Sequence, residues 1–147
     1  MVMTRGKLMQ LIDTAHIEDA IKQAELRTSG EICVSVSRFF WGDVRRAAEK
    51  AFARLRIAET SRRNGVLFFI VPSRRKFVVL GDSGIHEKVG PHFWSEVVQG
   101  MAERFKKDDF TGGIILGIEH VGAELAMHFP FDAATDVNEL PDKVDFA

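Results

Sequence analysis

"GVLFFIV", Gly65 to Val71, is an unbroken apolar run of β-forming residues, bounded by Asn64 on one side and Pro72 on the other. A strand with no polar side chain on either face needs cover on both. The fold must therefore place this segment inside a sheet with further layers above and below it. A chain of 147 residues that is 46% hydrophobic can supply that cover within one domain. It must do so without disulfides, because Cys33 is its one cysteine.

The flanking segments show which elements provide the layers. "DTAHIEDAIKQAELRTSG" sets Ile17, Ala20, Ile21 and Ala24 on one helical face, with Asp13 or Thr14 as cap and Gly30 just past its end. "EICVSVS" alternates Ile32, Val34 and Val36 against Cys33, Ser35 and Ser37, a strand with one face much more apolar than the other. "GDVRRAAEKAFARLRIAET" returns to helical spacing, with Val44, Ala47, Ala48, Ala51, Phe52 and Leu55 as its stripe. After the apolar run, "PSRR" is a tight turn and "KFVVLG" a second strand; so short a link predicts an antiparallel hairpin. Two helices close the pattern. One starts at Pro91 and turns Phe93, Val97, Met101 and Phe105 inward; the other carries Ile114, Ile115, Ile118, Val121 and Leu125. Gly117 and Gly122 in the last helix allow a neighbour to approach closely. The order α-β-α-β-β-α-α predicts an α/β protein, a three-layer α/β/α sandwich around a small mixed sheet.

The domain is expected over residues 1–131, followed by an acidic tail, 132–147. In the tail Asp132, Asp136, Glu139, Asp142 and Asp145 face a single Lys143. Such an end is either solvated or docked through Val137, Leu140 and Phe146. No stretch has the apolar length of a signal peptide or a membrane span, so a soluble, cytoplasmic protein is expected. A net charge of -1 exerts no global pull on nucleic acid. Arg45, Arg46, Lys50, Arg54 and Arg56 concentrate on one helix. Glu49 and Glu59 interleave with them, and the run reads as a solvated face. "RFFWGD" offers Phe39, Phe40 and Trp41 either to a partner protein or to the edge of the sheet.

"LGDSGIHEKVG" imitates two catalytic signatures and satisfies neither. A chymotrypsin-like "GDSG" needs an all-β scaffold that supplies histidine, aspartate and an oxyanion hole. H-E-x-x-H needs a second histidine four residues on, where this chain has Gly90 and then Pro91. The segment fits a strand leading into a short helix capped by Asp82 or Ser83.

Three corners remain: "TSGE", "RNG" and "GDSG". The first two precede strands and the third follows one, so parallel pairing of the first two strands brings all three to one end of the sheet. Glu31, Asn64 and Asp82 then supply two carboxylates and an amide oxygen, hard donors suited to Ca²⁺ or Mg²⁺. The glycine-flanked backbone there also suits an anion, and turn chemistry alone accounts for the same residues.

Taken together, "AIKQAELRTSGEICVSV", "RRNGVLFFIV", "RKFVVLGDSGIHEKVG" and "FKKDDFTGGIILGIEHVG" resemble the TPM domain family from about Ile17 to about Pro130. The resemblance implies an α/β/α sandwich with a small central sheet. It marks Ser29, Gly30, Glu31, Asn64, Gly65, Gly81, Asp82 and Gly84 as the family's corner positions. It also implies divalent-cation binding and, for plant members, photosystem II repair and an acid phosphatase activity. Many relatives add a signal peptide, a transmembrane helix or a glycine-rich tail; this sequence resembles the short, soluble bacterial branch. Two functions follow as expectations. The first is a cation-modulated module, without established catalysis, that binds another protein. The second is a metal-dependent phosphomonoesterase in which Asp82 ligates or attacks and Arg62 or Arg63 binds phosphate.

Overall fold

In the computed structural model, which describes residues 4–38, 42–132 and 140–147, the apolar run forms the inner strand β2 (Gly65–Val71), buried along its whole length. β1 (Glu31–Val36) pairs with it in parallel, Glu31 opposite Gly65 and Val36 opposite Ile70. β3 (Lys76–Gly81) pairs antiparallel on its other side, as the short link predicts. A two-residue strand, β4 (Asp145–Phe146), lies parallel to β1, so the sheet order is β3-β2-β1-β4.

Helices cover both faces. On one side lie α1 (Arg5–Leu11), α2 (Thr14–Glu25), α5 (Pro91–Phe105) and α6 (Phe110–His128), packed on Ile32, Val34, Val36, Val66, Phe68 and Ile70. On the other side α3 (Val44–Arg54) brings Ala48 and Ala51 onto Cys33, Leu67, Phe69 and Val71. These are the three layers the sequence demands. The small side chains of α3 let it lie close to the sheet, whereas the thicker opposite layer is built from Ile, Val, Leu, Met and Phe. In α6, a Cβ on Gly117 would stand 2.7 Å from Met101 Sδ and 2.8 Å from Phe68, so only glycine permits that approach.

All six residues of β1 are buried, its less apolar face as well as its apolar one. Ser35 points away from the large core and is satisfied by Asp145 Oδ2 at 2.7 Å. Two elements escaped the sequence reading. α1 is one of them; its Leu8 is fully buried and Thr4 caps it through Lys7 N. The other is β4. It belongs to residues 140–147, which are docked: Leu140 and Val144 are buried, and Ala147 N donates to the Val36 carbonyl at 2.9 Å. Phe39, Phe40, Trp41 and Val137 lie outside the described residues.

Candidate functional site

The three corners meet. Asp82 N donates to Gly65 O at 2.9 Å, Gly84 N to Arg63 O at 2.7 Å and Glu31 N to Asn64 O at 3.4 Å. Arg63 makes this possible by adopting a left-handed backbone, φ 52°, which carries the chain sharply into β2. Its own carbonyl and that of Arg62 then press on the start of α4 (Ser83–His86). A Cβ on Gly84 would lie 2.2 Å from Arg62 O and 2.5 Å from Arg63 O, so the fourth residue of "GDSG" has no room for a side chain.

Side chains lace the same corner. Arg63 Nε and Nη2 donate to Asp82 Oδ2 and Oδ1 at 2.6 and 2.8 Å, a two-pronged pair that fixes the carboxylate. Asp82 Oδ1 also accepts from Ser83 N at 2.7 Å and so caps α4, as the sequence predicts. Ser29 Oγ accepts from Arg62 Nη1 at 3.0 Å and from Asn64 Nδ2 at 3.5 Å. Thr60 Oγ1 accepts from Asn64 N at 3.3 Å. Asn64 is 1% exposed, yet its Oδ1 has no hydrogen-bond partner among the described residues. A buried acceptor left dry is costly, so the vacant lone pairs need a donor or an ion.

Glu31 is buried at the β1 end of this row, and Gly65 stands between it and the Gly81–Asp82 end of β3. Two strand spacings put Glu31 and Asp82 roughly 10 Å apart at the backbone. Ile57 covers Gly65 between them, its Cγ2 2.5 Å from where a Cβ would stand. Among the described residues, no three His, Cys, Asp or Glu side chains are grouped to hold a metal by themselves. Any ion here would need the Asn64 amide oxygen or backbone carbonyls as well.

Two acids near Glu31 were not singled out from sequence. Burial first, then a side-chain hydrogen bond to Asp142, pushes the Glu25 carboxyl up to about 10, with the Glu31 charge adding to the rise. Glu25 is therefore neutral at physiological pH, and its Oε2 accepts from Ile32 N at 2.9 Å. Its place four residues after Ile21 on the inward face of α2 was a legible signal; nothing around Asp142 marked it. The same surroundings act on Cys33. Burial, then the charges of Glu25, Glu31, Asp142 and Asp145, pushes its thiol up to about 12, too high for a thiolate nucleophile at neutral pH.

The sheet lies between two helical layers with its strand ends tied at the "RNG" and "GDSG" corner, and the TPM domain family model matches residues 2–124. The chain belongs to that family. Among solved structures it is similar to the BA42 protein of the psychrophilic bacterium Bizionia argentinensis, with 34% identity and a TM-score of 0.85 over 92% of this chain and 95% of that one. It shares its fold alone with the N-terminal domain of the cg2496 protein of Corynebacterium glutamicum. That match has 14% identity and a TM-score of 0.52, over 97% of this chain and 79% of that one. No curated protein matches it. Among the described residues no helix is long and apolar enough to cross a membrane.

Proposed function

We propose that this TPM-domain protein is a binding module whose corner takes a divalent cation, Ca²⁺ or Mg²⁺, and whose contact with another protein depends on that ion. The observation that carries the reading is the buried Oδ1 of Asn64, which has no partner among the described residues. Asn64 and Asp82 are the residues that would hold the ion, with backbone carbonyls of the corner completing the set; Glu31, on the far side of Ile57, would add negative charge without touching it. Asp82 has spent three of its roughly four acceptor positions on Arg63 and Ser83. The guanidinium of Arg63 is half exposed while the Asp82 side chain is 5% exposed, so the arginine can leave and the carboxylate cannot. An ion entering beside Asn64 competes with Arg63 for Asp82, and the displaced arginine, with Arg62 beside it, becomes available to an acidic partner surface. The ion supplies local charge here, and no bond is made or broken.

The phosphomonoesterase alternative is weaker on physical grounds. It asks Asp82 to attack or ligate while Arg63 binds phosphate, whereas these two groups now neutralise each other. Cys33 offers no nucleophile in its place. A single buried cysteine suits a reducing compartment, and we place the protein in the cytoplasm.

Calorimetric titration of metal-stripped protein with CaCl₂ and with MgCl₂ tests the reading. Saturable binding of either ion, weakened about tenfold in Asn64→Ala, is expected for loss of one oxygen ligand. No binding, or equal binding by the variant, overturns it.

A further inference from the structure

The opposite end of the sheet carries a second feature. Between α3 and the carboxyl ends of β1 and β2 lies a cleft of about 660 Å³. Small organic ligands occupy cavities of this size, and the carboxyl edge of parallel strands is where open α/β sheets receive them. The floor is apolar, made by Ala47 and Ala51 of α3 with Phe69 and Val71 of β2. The rim is basic: Arg46, Lys50, Arg54 and Arg74 stand against a single acid, Asp43.

The partners of these charges decide what the rim can do. Asp43 is turned onto the first turn of α3, where it accepts from Arg45 N and Arg46 N. Arg54 is held by both oxygens of Asp145. Arg74 donates to the carbonyl of Gly42 and has no ion-pair partner among the described residues. Arg46 and Lys50 have no ion-pair partner among the described residues. They stand four residues apart on one helix, where like charges repel. Two unpaired cations over an apolar floor form a complementary surface for an anion with an apolar body.

We propose that this cleft binds a small amphipathic anion. Its aliphatic or aromatic body lies on Phe69, Val71 and the two alanines, and its carboxylate or phosphate group is held by Arg46 and Lys50. The site is independent of the cation corner: it uses the other end of the sheet and none of the same residues.

The test is an ¹⁵N-resolved NMR titration with octanoate and with octyl phosphate, below their micelle concentrations, and 1-octanol as the neutral control. Saturable shifts are expected at the amides of Val44, Ala47, Ala51, Phe69 and Val71. The anion that binds tighter identifies the head group. Octanol is expected to bind at least about tenfold more weakly, and the Arg46→Gln, Lys50→Gln double variant, which removes two charge-assisted contacts each worth about tenfold, to weaken the anions at least about tenfold. Both substitutions are at the surface, and the variant's own spectrum reports whether it is folded. Three results would each overturn the proposal: no saturable shift at the cleft, octanol binding as tightly as the anions, or shifts concentrated at Glu31, Asn64 and Asp82.

Discussion

Replacing Gly84 by alanine adds one carbon at the point where the corners are tied. Its Cβ would stand 2.2 Å from Arg62 O, 2.5 Å from Arg63 O and 2.9 Å from the Arg63 carbonyl carbon. None of these is the end of a flexible side chain. Arg63 O already receives Gly84 N at 2.7 Å, so the backbone has to part and lose that bond. Overpacking against side chains costs about 1–3 kcal/mol, and a backbone obstacle belongs at or above the upper end, about 3 kcal/mol. Against this, alanine gains up to about 1 kcal/mol over glycine in a helix, which leaves a net loss of about 2 kcal/mol. For a chain of this size that lowers the melting temperature by roughly 4–8 °C. Gly100 is the control. It lies within α5, and its added Cβ meets only Leu116 Cδ2 at 3.4 Å. Gly100→Ala should therefore raise the melting temperature by roughly 2–4 °C, on the helix gain alone. Thermal unfolding followed by far-ultraviolet circular dichroism reads both variants. If Gly84→Ala melts at or above the parent, the carbonyls of Arg62 and Arg63 do not form a close backbone cradle around Gly84.

Three further outcomes follow from the charges. The folded value of Glu25, about 10, lies above its ordinary 4.5, so its contribution to stability is complete below about pH 4.5 and is lost as pH rises towards 10. Glu25→Gln should flatten that decline, by up to about 1.4 kcal/mol per pH unit, in urea midpoints measured from about pH 6 to about pH 9; an unchanged slope contradicts the assignment. Burial pushes Asp145 up, but bonds from Arg54 and Ser35 outweigh it and hold the carboxyl below its usual range. Its contribution is thus present above the ordinary aspartate value and is lost as pH falls through the lowered one. Asp145→Asn, or acidification below about pH 4, should speed hydrogen exchange at the amides of Arg38 and Ala147, which bond across β1 and β4; unchanged protection would show that this carboxylate does not hold the end of the chain. Finally, Arg63→Gln removes the cation that competes for Asp82 and should tighten Ca²⁺ or Mg²⁺ binding about tenfold by calorimetry; weaker or equal binding denies the competition.

The layers were legible because they follow from periodicity. "GVLFFIV" requires cover on both faces, and the stripes on α2, α3, α5 and α6 provide it. Alternation marks the Cys33 and Ser35 face of β1 as the less apolar one but does not show that it is covered: Ser35 is buried and donates to a residue 110 positions away. A partner so distant leaves no local signal, and β4 went unread for the same reason: two residues have no period. α1 is short, and its Arg and Lys mask the few apolar positions that dock it. At the corner, the turn residues announced where the strands end and parallel pairing brought those ends together. The ion pair between Arg63 and Asp82 was not legible, because it depends on Arg63 adopting a left-handed backbone that its residue type does not favour. Glu31 fell among Glu25 and Asp142 because the docked end of the chain returns to β1, which only the tertiary fold determines.

The cation corner is tested most directly by an NMR titration of the metal-stripped protein with Ca²⁺ and then Mg²⁺. Saturable shifts at Glu31, Asn64 and Asp82, with the Arg63 Nε–H resonance moving as its carboxylate partner is taken, are the predicted result, and Asp82→Asn should abolish them. A flat response at those residues, or one that leaves Arg63 untouched, would contradict the account and leave the three corners as the structural ties of a TPM domain.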